Sequence, residues 1–225
     1  MVVLNYYVKI VIHLNNNKKK NMKIQLIDYN REMGAAYKEA FKDVPEVEVH
    51  TNSAFAIPTE CIVSPANSFG FMDGGFDATI TNYLGHQVQF NVQKIIKEYY
   101  NGELLVGQAI FVATENPLVP YCISAPTMRV PMYLGPESIN PYLAARAIFL
   151  LLKQPVPFKS VTIPGLGTGV GAIPYDVCAK QVRMAYDEFF VGNRSEFPKT
   201  WYQAQFRHQM LFKQVPEETR DIQHK

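Results

Sequence analysis

Two side chains able to do chemistry stand ten positions apart in residues 62–85, IVSPANSFGFMDGGFDATITNYLG: the carboxamide of Asn67 and the carboxylate of Asp77. A carboxamide both donates and accepts hydrogen bonds. A carboxylate can bond a hydroxyl or orient a water for attack. A purely structural reading is also open, in which Asn67 bonds its own loop backbone and Asp77 serves a helix start, where Asp is common. The second stretch is residues 160–174, SVTIPGLGTGVGAIP, in which Gly165, Gly167, Gly169 and Gly171 alternate. Alternating glycines put no Cβ between the backbone and an anion, so successive N–H groups can turn inward toward one. The helix that Pro174 opens adds the partial positive charge of its N-terminus.

Both stretches need the same scaffold. Cys61-Ile62-Val63 is a short apolar run of the kind that forms a buried parallel strand. The chain then loosens at Gly70, reaches Asp73-Gly74-Gly75 and enters a helical pattern over residues 76–84. Val161-Thr162-Ile163 is a second β-branched run, followed by a helix over 174–190 with Ala179, Val182, Ala185, Tyr186 and Phe189 on its inner face. A strand, a Gly-containing loop and a helix make a ligand crevice at the carboxyl end of a parallel sheet.

The remaining segments supply the other layers. Residues 23–28 read as the first strand, Asn30 as the cap of a helix carrying Met33, Ala36, Tyr37, Ala40 and Phe41, and Val47 and Val49 as the next strand. Residues 86–100 form a second helical stretch, 109–114 and 121–124 are strands, and Asn140-Pro141 caps and opens a largely apolar helix over 142–152. This alternation predicts an α/β fold with a central mixed sheet of about six strands and helices on both faces.

The two loops together resemble the signatures of the macro domain family, which binds ADP-ribose. The family's first signature is roughly N-A-A-N-S, a Gly-rich run and V-D before a helix. Here Ser64-Pro65-Ala66-Asn67-Ser68 is followed by Gly74-Gly75-Phe76-Asp77. Its second, roughly P-A-I-S-T-G-V-Y-G-F-P, corresponds to residues 164–174, Pro164-Gly165-Leu166-Gly167-Thr168-Gly169-Val170-Gly171-Ala172-Ile173-Pro174. The resemblance covers residues 46–190 and implies a three-layer sandwich. It also implies a diphosphate held by Gly165, Gly167, Thr168, Gly169, Val170 and Gly171, with Asn67 on a hydroxyl of the distal ribose and Asp77 near its anomeric carbon. Ala66, Gly74, Gly75 and Phe76 would complete the wall. Asp73 reads equally as a second carboxylate beside that ribose or as a turn residue. Ser53 falls where the family carries the aspartate that bonds the adenine amino group, and Gly171 where it commonly carries an aromatic over the ribose. The implied activity is hydrolysis of an ADP-ribosyl bond on a protein or small metabolite; a non-catalytic reader and an ADP-ribose-1″-phosphate phosphatase are the alternatives.

Composition narrows the setting. The 225 residues are 48% apolar and 19% charged, which suits one globular domain. A net charge of +2 gives no reason to expect nucleic acid as a partner. Cys61, Cys122 and Cys178 show no metal spacing and no C-x-x-C pair, so buried thiols in a reducing, cytoplasmic setting are expected, with no cofactor. The apolar run within residues 1–14 is too short for a membrane span, and its charges follow it, unlike a secretory signal. Residues 1–21 are therefore expected as an edge strand or loose tail ending in an Asn/Lys linker, residues 22–191 as the macro-like domain, and 192–225 as a C-terminal extension. There Trp201, Tyr202, Phe206, Met210, Leu211 and Phe212 suggest a packed segment over a sheet edge or part of the cleft.

Overall fold

The computed structural model describes residues 22–191 and 197–212; the expected N-terminal strand or tail, residues 1–21, lies outside them. The short apolar runs become six strands: β1 (Lys23–Asp28), β2 (Val47–Thr51), β3 (Cys61–Ser64), β4 (Ile110–Ala113), β5 (Tyr121–Ser124) and β6 (Ser160–Ile163). They form one sheet in the order β2-β1-β6-β3-β5-β4. Every pairing is parallel except that of β4 with β5. The helices are α1 (Arg31–Ala40), α2 (Gly75–Leu84), α3 (Gln87–Tyr99), α4 (Asn140–Leu152), α5 (Tyr175–Phe190) and α6 (Trp201–Gln209).

Alternation along the strands divides the core into two layers, because successive side chains leave opposite faces. Leu26, Val63, Ile123, Val161 and Ile163 pack under α1, α4 and α5, against Met33, Tyr37, Phe149 and Val182. Ile27, Ile62 and Cys122 point to the other face, against Ile80 of α2 and Val88, Val92 and Ile96 of α3. Both faces are covered, which is why strands such as β3 read as unbroken apolar runs. All three cysteines are free and buried within these layers.

Local sequence fixes several helix ends. Asn30 caps α1, its Oδ1 accepting from the N–H groups of Glu32 at 2.8 Å and Met33 at 3.1 Å. At the other end of that helix Arg183 of α5 bonds the Ala40 carbonyl and the carboxylates of Asp43 and Asp187. Asn140 departs from expectation. It is the first residue of α4 and not its cap, and its Nδ2 donates to the Thr127 carbonyl at 2.8 Å. That tertiary bond uses the side chain that would otherwise cap, and it ties α4 to the loop after β5.

The C-terminal extension is less packed than its aromatic content suggests. Helix α6 buries none of its side chains, and Trp201 and Tyr202 are exposed. Its anchor follows the helix: Leu211 is buried, and the carbonyls of Leu211 and Phe212 accept from Gln181 and Lys180 of α5. No helix among the described residues is long and apolar enough to cross a membrane.

Candidate functional site

The carboxyl ends of β1, β2, β3, β5 and β6 open onto one cleft of about 730 Å³. It lies where the strand order reverses between β1 and the strands to its other side, the usual position for a ligand in an open α/β sheet. Ser53 after β2, Ala66 and Asn67 after β3, and Asp73, Gly74, Gly75, Phe76 and Asp77 at the start of α2 all line it. So do Gly165, Gly167, Thr168, Gly169, Val170 and Gly171 after β6. The two stretches singled out in the sequence, about a hundred residues apart, thus face each other.

Asn67 is heavily committed to its own loop. Its Oδ1 accepts from Phe69 N at 3.1 Å and Phe71 N at 3.3 Å, and its Nδ2 donates to the Phe71 carbonyl at 2.7 Å. The amide therefore shapes the turn that leads to Asp73, and one Nδ2 hydrogen remains for the cleft. Asp77 turns back toward the sheet, where its Oδ1 accepts from the buried Ser64 hydroxyl at 2.6 Å. Burial raises its pKa to about 6; the Ser64 bond opposes that rise and the negative charge of Asp73 adds to it.

The loop after β6 is held from beneath and left open above. Gly165 N donates to Asp28 Oδ2 at 3.3 Å, and Leu166 N to the Cys178 sulfur at 3.3 Å. Ala172 N and Ile173 N return to the carbonyls of Gly169 and Gly167. Among the described residues, no N–H group from 167 to 171 donates to a protein acceptor. Gly167 has φ of +70°, a region side chains rarely adopt. A Cβ at Gly171 would come within 2.5 Å of the Gly167 carbonyl and 2.9 Å of the Leu134 side chain. Leu134 thus fills the space beside Gly171, and its N–H bonds the Gly171 carbonyl at 2.9 Å. A Cβ at Gly169, by contrast, would meet nothing within 4 Å. That open space adjoins the cleft that Gly169 lines.

Several lining residues carried no motif. Asp28, at the end of β1, accepts from Asn30 N at 2.8 Å as well as from Gly165, and burial raises its pKa against these bonds. Asn30 Nδ2 donates to the Tyr175 hydroxyl at 3.0 Å, so the α1 cap also sets a cleft-lining aromatic. The signal for Asp28 was its place at a strand's carboxyl end. Phe71 lines the rim and is half exposed. Arg129 pairs with Glu103 at 2.7 Å and lies over the Phe69 ring, and it does not line the cleft.

The chain is similar to several known proteins. An uncharacterized protein of Aquifex aeolicus is 31% identical over 135 residues, 60% of this chain and 77% of that one. The human protein mono-ADP-ribosyltransferase PARP14 is 26% identical over 136 residues, which span 60% of this chain but 7% of PARP14. Among solved structures, a mutant macrodomain of Oceanobacillus iheyensis with ADPR superposes with a TM-score of 0.55 at 16% identity, covering 79% of this chain and 83% of that one. The macrodomain of Mycobacterium tuberculosis DarG gives 0.51 at 20%, covering 62% and 88%. The family model described as Macro domain matches residues 63–182, more than half of the 225, and includes Asn67, Asp77 and the loop after β6. The chain belongs to the macro domain family.

Proposed function

We propose that this protein binds ADP-ribose in the cleft and hydrolyses an ADP-ribosyl bond on a protein or small-molecule derivative. The observation that carries the reading is the run of N–H groups from 167 to 171 without a protein acceptor among the described residues, in a cleft that also holds the Asp77 carboxylate. Successive backbone donors without a protein acceptor suit a diphosphate, and the N-terminus of α5 lies just beyond. In this pose the remaining Asn67 N–H bonds a hydroxyl of the distal ribose. Asp77 then lies near the anomeric carbon. A water oxygen bonds to that carbon as the bond to the acceptor breaks; Asp77 takes the water's proton, and the departing acceptor takes one from solvent. With its pKa near 6, the carboxylate is mostly ionised at neutral pH yet basic enough to accept a proton.

A non-catalytic reader is the second reading. It is favoured by the commitment of Asn67 to its loop and by the absence of an aromatic at Gly171. Asp77→Ala separates the two. It leaves the loop after β6 intact, so ADP-ribose affinity should fall only by about 1–2 kcal/mol, the worth of a lost hydrogen bond. In a hydrolase, turnover of an ADP-ribosylated protein should fall about a hundredfold or more. Wild-type protein that binds ADP-ribose but releases none from such substrates is a reader.

A further inference from the structure

We infer that Ser64 is a positioning residue for Asp77: its buried hydroxyl fixes one carboxylate oxygen and turns the other to the cleft. The role Asp77 then plays rests on the hydrolytic reading above, but the positioning itself does not.

The geometry is specific. Asp77 sits in the first turn of α2, after Gly74, which offers no side-chain cap. A carboxylate at that point of a helix often reaches back to the N–H of the cap residue. Here it reaches across to β3 instead, and Ser64 gives its one proton to Oδ1 at 2.6 Å. Ser64 is fully buried, and its own carbonyl accepts from Ala125 N at 3.0 Å, so the donor stands on a backbone held by the sheet. Among the described residues no other side-chain donor reaches Asp77, which leaves Oδ2 for the cleft that Asp77 lines.

The neighbouring strand supplies an internal control. Ser124 pairs in register with Ser64, so its side chain leaves the same face of the sheet. It is equally buried, and its hydroxyl has no partner among the described residues. Two buried serines side by side thus differ in hydrogen bonding: Ser64 holds Asp77 and Ser124 holds nothing among the described residues. The other charge that acts on Asp77 is that of Asp73, which raises its pKa; Asp77 in turn acts on the Cys122 thiol on β5. Burial, with the Asp77 charge, keeps that thiol protonated.

The test is a ¹³C NMR titration of the Asp77 carboxyl between pH 4 and 8 in ligand-free protein, with Asp77→Asn identifying the signal. Ser64→Ala removes the bond to the charged form, so the midpoint should rise from about 6 by about one pH unit. Ser64→Thr, which keeps the hydroxyl, should hold the wild-type midpoint. Ser124→Ala, the same deletion one strand over, should leave it in place. If the protein is a hydrolase, the acid limb of its pH–rate profile should move with Ser64→Ala by the same amount. An unchanged midpoint in Ser64→Ala, or an equal shift in Ser124→Ala, overturns the inference. Failure of wild-type protein to bind ADP-ribose overturns only the ligand reading, since the titration contains no ligand.

Discussion

Asp77 is where sequence, burial and chemistry meet most closely. Its pKa of about 6 lies above the ordinary 3.8 because burial penalises the charge more than Ser64 supports it. The folded protein therefore holds this proton more tightly than the unfolded chain. The stability it contributes is complete below pH 3.8 and is lost as the pH rises through 6, above which the ionised group is a net cost. Asp77→Asn keeps an oxygen for Ser64 and removes the charge. Relative to wild type it should gain about 2 kcal/mol of stability between pH 4 and pH 8, read from urea unfolding at the two pH values. An equal difference at both would mean the carboxylate is not desolvated. The spacing of Asn67 and Asp77 was legible in the sequence, as was a serine at position 64. That the serine points at Asp77 was not, because a side-chain direction depends on two elements thirteen residues apart in the chain. The role of Asp28 was not legible for a similar reason: its partner Gly165 is 137 residues away.

At the scale of elements, the strands and most helices were legible because burial on both faces leaves unbroken apolar runs and a clear helical period. Two departures come from tertiary contacts. Asn140 has the type and position of a cap, yet Thr127 claims its amide. The aromatic content of α6 suggests packing, but only Leu211 beyond it is buried, and none of the described residues 197–212 lines the cleft. Elements also support the glycine loop from below. Tyr37 of α1 is fully buried and donates to the Pro164 carbonyl at 2.9 Å, at the point where β6 passes into the loop. Tyr37→Phe leaves that carbonyl unpaired, so it should cost about 1–3 kcal/mol in chemical unfolding. Hydrogen exchange of the Gly165 and Leu166 amides, which bond Asp28 and Cys178, should quicken in step. Loss of stability without faster exchange there would show that the bond supports the core but not the loop.

For the molecule as a whole, a mixed sheet covered on both faces brings five strand ends to one cleft, and the account stands or falls on what binds there. Gly169 gives the cleanest probe. A Cβ at that position would meet nothing within 4 Å among the described residues, and Gly169 is exposed, so Gly169→Glu should fold and melt like wild type. In the proposed pose the same side chain fills the diphosphate's place and repels its charge. Titration calorimetry with ADP-ribose on the two proteins at pH 7.5 is therefore the most direct measurement. ADP-ribose binding against the glycine loop predicts saturable heat with wild type and none with Gly169→Glu. No heat with wild type, or equal affinity in both, would contradict it.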